Sequence, residues 1–306
     1  MSKVDLSVDL GRIKLKNPVL VSSGTFGYGR EFGDFFDVGR LGGIVTKAIS
    51  PAPREGNPPP RTIETAAGLL NAIGLENCGL DAFVGEKLPY LSGLDTAVIV
   101  NVAGRCEDDY VKVVERLTGE EGVDGFEINI SCPNVSEGGI EFGTCPETAA
   151  RLTAALRKKT DKELIIKLSP NVTDTSLIAL AVKDAGADAL SLVNTYRGMA
   201  IDVETGRPVL GNKTGGLSGP AIKPLALYQV YQVSFKVNLP VIGMGGIVSA
   251  GDAMEFIFAG ADAVSVGTAN LVNPASSVEI LEGIEKYCID RGIGRVSDCS
   301  GRSHKF

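Results

Sequence analysis

Cys132 stands in the segment 129–134, Asn-Ile-Ser-Cys-Pro-Asn, directly after a short apolar run and before a stretch rich in glycine. A thiol just past the end of a strand, in a loop bounded by proline and glycine, is placed to move over a binding site. A lone cysteine is more often a small buried side chain, and we expect that of the other five. The loop position and the neighbouring asparagines instead indicate a functional thiol at Cys132.

Two lysines, Lys47 and Lys167, end apolar runs. Lys167 lies within Leu-Ile-Ile-Lys-Leu-Ser, whose apolar residues would bury it. A buried ammonium group must meet an anion or lose its proton. Two kinds of chemistry therefore remain open for Lys167. One is a Schiff base with a carbonyl substrate, as in barrel aldolases, and the other is electrostatic contact with a flavin or a carboxylate ligand.

Polar residues and glycines follow the apolar runs. Parallel strands in a barrel present their carboxyl ends at one face, so these residues are predicted to converge there. Buried amide and ammonium groups need partners, and a polar, partly anionic ligand would supply them. The glycines after the last two runs favour phosphate, because backbone N–H groups approach it closely where no side chain intervenes. The residues are Ser22, Ser23, Lys47, Asn101, Asn129, Lys167, Asn194, Thr195, Gly245, Gly246, Gly267 and Thr268.

The elements that must position these residues alternate along the chain. Short runs rich in Val, Ile and Leu alternate with amphipathic segments, which is typical of parallel strands and crossover helices. We therefore predict an α/β fold, a single (β/α)8 TIM barrel over residues 1–306, with a hairpin at 4–15 closing its bottom. The proline-rich residues 51–60 are predicted to form a long βα loop over the active site. The predicted strands are 19–21, 43–45, 97–100, 125–128, 164–166, 189–193, 240–242 and 263–266, and the predicted helices are 109–117, 147–159, 175–185, 221–235, 250–259 and 276–290.

The composition excludes several classes of protein. The chain has 306 residues, 37 acidic against 30 basic side chains and a net charge of −7, which gives no basic field for nucleic acid. No apolar run approaches the roughly 18 to 20 residues that span a bilayer, and residues 1–11 lack the order of a signal peptide, so we expect a cytoplasmic protein. The sequence has neither a Cys-x-x-Cys pair nor a dinucleotide fingerprint. We therefore expect no metal, iron–sulfur or nicotinamide site in this chain.

Five motifs resemble those of the class 1 dihydroorotate dehydrogenases, in that family's order and over essentially the whole chain. Cys132 stands where class 2 relatives carry a serine. Within class 1, residues 212–220 (Asn-Lys-Thr-Gly-Gly-Leu-Ser-Gly-Pro) with 222–224 (Ile-Lys-Pro) look like the NAD-linked 1B catalytic subunit. The five motifs are residues 71–75, 129–134, 166–170, 194–195 and 215–219.

The resemblance implies one tightly bound FMN and the oxidation of dihydroorotate to orotate in pyrimidine (UMP) biosynthesis. Cys132 would act as the base that removes a proton from C5 of dihydroorotate, while a hydride leaves C6 for FMN. The electrons would pass to a separate subunit that holds FAD and a [2Fe-2S] cluster and reduces NAD. The implied assembly is a heterotetramer of two catalytic and two electron-transfer subunits.

The resemblance also implies roles for residues at the barrel mouth. Lys47 would contact both flavin and substrate, and Lys167 would contact the pyrimidine edge of the reduced flavin. The implied FMN site is Ser23, Lys47, Ala48, Asn101, Asn129, Lys167, Val193, Gly219, Gly245, Gly246, Gly267 and Thr268, and the implied substrate site is Lys47, Asn71, Ala72, Ile73, Gly74, Leu75, Asn129, Asn134, Asn194 and Thr195.

Three other functions remain open at this point. A class 1A enzyme would be a homodimer that passes its electrons to fumarate. A Schiff-base lyase would use Lys167 as its nucleophile and would be colourless. A non-catalytic flavin-binding subunit would be yellow, but dihydroorotate would not bleach it.

Replacing Cys132 with serine tests its role. Cys132→Ser is expected to retain FMN and to slow flavin reduction by dihydroorotate by a factor on the order of 10² to 10⁴, because a serine hydroxyl is a far weaker base near neutral pH. The measurement is stopped-flow absorbance of the flavin under anaerobic conditions. The wild-type rate should climb with pH as the thiol ionises. Reduction of the serine variant at the wild-type rate would contradict the assignment.

Overall fold

The computed structural model describes residues 4–131 and 142–306, and its centre is a closed barrel of eight parallel strands. Each strand pairs with its neighbours in the chain, and the eighth pairs with the first. Short strands of Val, Ile and Leu buried on both faces are typical of parallel sheets covered by helices. The predicted (β/α)8 barrel is confirmed. Its strands are Val19–Val21, Gly43–Val45, Ala97–Val102, Gly125–Asn129, Glu163–Lys167, Ala189–Leu192, Val241–Met244 and Ala263–Val266.

Helices connect most of the barrel strands. The first long helix buries Val113, Val114 and Leu117 on one face, which is the spacing that turns an apolar stripe toward the barrel. Asp174 caps a later helix by accepting a hydrogen bond from the N–H of Ser176. None of the helices in the described residues combines the length and apolar character that a membrane crossing requires. The longer helices are Glu107–Thr118, Pro146–Arg157, Thr175–Asp184, Lys223–Lys236, Ala250–Phe258 and Ser276–Asp290.

A four-stranded antiparallel sheet, which we call the cover sheet, lies in the loops that follow the second and sixth barrel strands. Two of its strands come from each loop, so it joins segments more than 100 residues apart. The sixth loop also holds an exposed two-stranded hairpin, Ile201–Asp202 with Arg207–Pro208. In spatial order the strands of the cover sheet are Tyr196–Gly198, Gly215–Ser218, Gly68–Asn71 and Thr62–Thr65.

Shorter helices complete the described part of the chain. Two lie before the second barrel strand, three follow the cover-sheet strand Gly68–Asn71, and the others lie in the last third of the chain. Their bounds are Arg30–Phe32, Val38–Arg40, Leu80–Ala82, Phe83–Lys87, Leu88–Leu91, Pro220–Ile222, Ala269–Val272, Val296–Cys299 and Arg302–Lys305.

The N-terminal hairpin closes the bottom of the barrel, as predicted. Its strands are Val8–Asp9 and Lys14–Leu15. Leu10 is fully buried, and the N–H of Arg12 donates a hydrogen bond to Oε2 of Glu163 at 2.6 Å. Since Glu163 begins the fifth strand, this contact places the hairpin at the amino-terminal end of the barrel.

Two expectations about side-chain burial are wrong. Cys106 is exposed, and only Cys288 and Cys299 of the five described cysteines are buried. The sequence position of His304, the one histidine and near the C-terminus, favours a solvated tail residue, but its ring centroid lies 4.5 Å from that of Tyr231 and its Nε2 lies 3.1 Å from Oγ of Ser234. The C-terminal segment folds back onto a helix, which the sequence spacing does not reveal.

Glu163 is a buried carboxyl group with an incomplete set of hydrogen bonds. Its Oε1 has no hydrogen-bond partner in the described residues. Burial raises its pKa from an ordinary value near 4.5 to about 7, and the negative charge of Asp188 adds to the rise, while the Arg12 N–H opposes it. The folded chain therefore holds a proton between about pH 4.5 and 7 that the unfolded chain has released. The stability that this proton contributes is full below about pH 4.5 and is lost as the pH rises through about 7.

Glu163→Gln should remove this dependence on pH, because glutamine has the shape of the protonated acid and no charge to ionise. We expect the free energy of unfolding of the variant minus that of wild type to be about 1–3 kcal/mol larger at pH 8 than at pH 5, which means that the variant is relatively more stable at pH 8. Urea unfolding at both pH values measures this difference. Glu282→Gln, at an exposed glutamate paired with Arg40, is the matched control and should show none. An equal effect of Glu163→Gln at both pH values would contradict the expectation.

Candidate active site

A cavity of about 370 Å³ opens at the carboxyl ends of the barrel strands. The residues that follow the barrel strands form its walls. The cover sheet supplies Leu69, Asn71 and Ser218, and the proline-rich loop supplies Asn57, which agrees with the prediction of a loop over the site. The cavity has the size and the position of a barrel active site.

Nearly all of the residues predicted for the site line this one cavity. Asn101 is the exception among the described residues, since it is fully buried below the cavity and does not line it. Cys132 and Asn134 lie outside the described residues. The predicted residues that line the cavity are Ser23, Lys47, Ala48, Asn71, Ala72, Ile73, Gly74, Leu75, Asn129, Lys167, Val193, Asn194, Thr195, Gly219, Gly245, Gly246, Gly267 and Thr268.

Lys167 forms a buried ion pair at the floor of the cavity. Its Nζ lies 3.1 Å from Oε1 of Glu127 and 3.5 Å from Oγ of Ser23. Oε1 of Glu127 also accepts a hydrogen bond from Nδ2 of Asn101 at 2.6 Å, and Oε2 accepts one from Oγ of Ser191 at 2.8 Å. The anion that a buried Lys167 requires is therefore a residue of the protein itself.

Lys47 differs from Lys167 in this respect. Its backbone N–H donates to the carbonyl of Gly27, but its ammonium group forms no hydrogen bond or ion pair with the described residues. Lys47 lines the same cavity. Since the charge of Lys167 is matched by that of Glu127, Lys47 is the lysine that remains to attract an anionic ligand.

Amide side chains line the side of the cavity around Asn129. Its Oδ1 accepts hydrogen bonds from the N–H of Ser131 at 3.2 Å and from Nδ2 of Asn194 at 3.4 Å. Oδ1 of Asn194 in turn accepts from the N–H of Thr195 at 2.8 Å. Across the cavity, Nδ2 of Asn71 donates to the carbonyl of Gly216 at 3.2 Å. These bonds fix the amides, and they leave Nδ2 of Asn129 and Oδ1 of Asn71 without partners in the described residues.

The glycine loops after the seventh and eighth strands present backbone donors. The N–H groups of Gly246, Gly267 and Thr268 donate to no acceptor within residues 4–131 and 142–306. Gly246 has φ +75°, and a Cβ there would lie 2.8 Å from the carbonyl oxygen of Gly219. Only glycine fits this backbone without strain. The free donors and the close approach suit a phosphate group.

Sequence reasoning missed two parts of the site. Glu127 is fully buried in the fourth strand, and the signal for it was a charged residue inside an apolar run, two positions before Asn129 and so on the same face. Asn171 lines the cavity, donates to the carbonyl of Thr195 at 3.0 Å and accepts from the N–H of Arg197 at 2.9 Å. Nothing in the sequence marks its position, because its partners come from the next βα loop.

Comparisons with known proteins agree on one family. The sequence model described as "Dihydroorotate dehydrogenase" matches residues 5–288. Proteins named "Dihydroorotate dehydrogenase B (NAD(+)), catalytic subunit" are 56% identical in Geotalea daltonii, over 98% of this chain and 99% of the relative, and 55% identical in Pelobacter propionicus, over 98% of both. A crystal structure of DHODH in complex with ferulenol from Eimeria tenella has a TM-score of 0.80 at 24% identity, over 99% of this chain and 89% of that one, and supports the fold.

The two lysines should respond differently to removal of their charge. In ligand-free protein, Lys47→Met is expected to change the free energy of unfolding by no more than about 0.5 kcal/mol, because no partner is lost. Lys167→Met leaves the Glu127 carboxylate buried without its cation and should cost about 3–5 kcal/mol. Urea unfolding of both variants gives the comparison. Equal losses would contradict the difference in pairing.

Proposed function

The chain belongs to the dihydroorotate dehydrogenase family and oxidises dihydroorotate to orotate in pyrimidine biosynthesis, and we propose that the cavity at the barrel mouth binds FMN and substrate together. The observation that carries this proposal is that one cavity contains both backbone N–H donors and a lysine ammonium that have no partner in the described residues. The N–H groups of Gly246, Gly267 and Thr268, which have no acceptor among the described residues, suit the phosphate of FMN, and the ammonium of Lys47, which has no partner there either, suits the substrate carboxylate.

Within the proposal, the residues named below would hold FMN, which would supply the acceptor for the hydride that leaves C6 of dihydroorotate. The chain holds the reacting groups in place. Lys167 contacts the pyrimidine edge of the flavin, and Lys47 contacts flavin and substrate. Further flavin contacts come from Ser23, Ala48, Asn129, Val193, Gly219 and Gly245, and substrate contacts from Asn71, Ala72, Ile73, Gly74, Leu75, Asn129, Asn134, Asn194 and Thr195.

Cys132 is proposed as the base, although it lies outside the described residues. Its thiolate takes the proton from C5 of dihydroorotate, and the C5–H bonding electrons form the new double bond as the hydride leaves C6. The proposed role of Asn101 changes, because it does not line the cavity. Its Nδ2 donates to Glu127 at 2.6 Å, so we assign it to the support of the Lys167 ion pair rather than to direct flavin contact.

A Schiff-base lyase is less well supported. Its nucleophile would have to be free to attack a carbonyl carbon, whereas Nζ of Lys167 lies 3.1 Å from Oε1 of Glu127 in a buried ion pair. The ion pair therefore opposes the activation that such chemistry needs.

The partner remains a proposal as well. Relatives at 50–56% identity are named as catalytic subunits of an NAD-linked enzyme, and such a name implies a second subunit. We propose that this subunit carries FAD and a [2Fe-2S] cluster, that two copies of each subunit form a heterotetramer, and that the assembly is cytoplasmic.

The absorption spectrum of the purified chain tests the cofactor and the reaction together. We expect flavin bands with one FMN per chain, and anaerobic addition of dihydroorotate should bleach them and yield orotate. The control is Lys47→Met, which should need a markedly higher dihydroorotate concentration for the same bleaching because it lacks the cation for the substrate carboxylate. A colourless protein would contradict the FMN proposal, and a yellow protein that is not bleached would be a flavin carrier without this activity.

The electron acceptor is tested by assaying NAD and fumarate side by side. The isolated chain is expected to reduce artificial dyes but not NAD. Adding an electron-transfer subunit with FAD and [2Fe-2S] should create NAD reduction. Turnover of fumarate by the isolated chain would place it in class 1A and remove the need for a partner.

A further inference from the structure

Glu127 is a buried carboxylate at the centre of the barrel, directly below the cavity. It is fully buried and does not line the cavity. Its contacts come from three other barrel strands: Asn101 on the third, Lys167 on the fifth and Ser191 on the sixth, at 2.6, 3.1 and 2.8 Å. Both oxygens of the carboxylate are thus held, and Glu127 has no contact of its own with the ligand space.

Stability alone is a poor explanation for this arrangement. The interior of such barrels is typically filled by Val, Ile and Leu. Removing two charges from water costs several kcal/mol per ion, and apolar replacements of a buried pair are often neutral or stabilising. The Glu127–Lys167 ion pair is therefore better explained by its effect on the cavity, which Lys167 lines.

The register of the strands places Lys167 one layer above Glu127. Lys167 ends the fifth strand, level with Asn129 on one neighbour and with Ser191 on the other. Glu127 lies two residues before Asn129, on the same face and one layer deeper. A carboxylate in that layer holds the ammonium at one point of the cavity floor, and its negative charge offsets part of the positive charge felt there.

We propose that Glu127 is a positioning residue that fixes the Lys167 ammonium against the flavin and, by offsetting its charge, sets the reduction potential of the bound FMN. The inference rests on the proposed function. Reduction by a hydride adds negative charge to the flavin, so a nearby cation favours the reduced form and a nearby anion disfavours it. Glu127 therefore keeps the potential lower than Lys167 alone would make it.

Glu127→Gln is the direct test, because it removes the charge while keeping the shape and the capacity to hydrogen-bond Asn101 and Ser191. In FMN-loaded protein, the equilibrium constant for reduction should rise roughly tenfold, a positive shift of about 30 mV for a two-electron couple. The measurement is equilibration of the flavin with a reference dye of known potential, read by absorbance. It does not depend on turnover.

One further variant serves as a control and another as a second test. Glu163→Gln makes the same substitution at a fully buried glutamate at the opposite end of the barrel, and it should leave the potential unchanged. Glu127→Asp keeps the charge but withdraws it from Nζ of Lys167 by about one bond length. It should therefore raise the equilibrium constant for flavin reduction by less than tenfold, a smaller positive shift of the potential. It carries the test if the glutamine variant yields no folded protein.

The outcomes are separable. A positive shift in Glu127→Gln with none in Glu163→Gln supports the inference. Full FMN occupancy with an unchanged or lower potential in Glu127→Gln, or in Glu127→Asp if only that variant folds, overturns it and leaves the proposed function intact. Wild-type protein that binds no FMN overturns the proposed function itself.

Discussion

Closure of the eight-stranded barrel is the constraint on which the site depends. Because all strands are parallel and the eighth pairs with the first, their carboxyl ends form one ring. Residues as distant in sequence as Ser23 and Thr268 then face the same cavity of about 370 Å³. The helices serve this closure, since each returns the chain to the amino-terminal end and covers the outer face of the sheet.

Buried carboxyl groups at the two ends of the barrel are stabilised in different ways. At the cavity end, Glu127 and Lys167 neutralise each other, and Asn101 and Ser191 complete the hydrogen bonds. At the bottom, Glu163 forms no ion pair with the described residues, and its Oε1 has no hydrogen-bond partner there. Burial raises its pKa to about 7, so part of it is the neutral acid near that pH. Of these two buried carboxyl groups, one is therefore paired and the other is partly protonated, whereas Lys47, whose ammonium has no partner in the described part of the chain, lines the cavity itself.

The cover sheet joins the two halves of the site. Its central strands pair Gly68–Asn71 with Gly215–Ser218, so parts of the sequence motifs 71–75 and 215–219 meet in one sheet. Oγ1 of Thr268 donates to Oγ of Ser218 at 2.8 Å, which ties this sheet to the loop after the eighth barrel strand.

The sequence predicted the barrel, the bottom hairpin and about half of the residues that line the cavity, because an apolar run marks each strand and many site residues lie directly after such a run. It also carried the motifs of the family. Only the tertiary structure decided how the charges pair. The sequence left Lys167 open between a Schiff base and an electrostatic role, since Glu127 lies 40 residues away and meets it only through strand register. The place of Asn101 outside the cavity lining has the same cause, because whether a strand-end side chain lines the cavity or lies below it depends on its layer in the barrel, which no local pattern reveals.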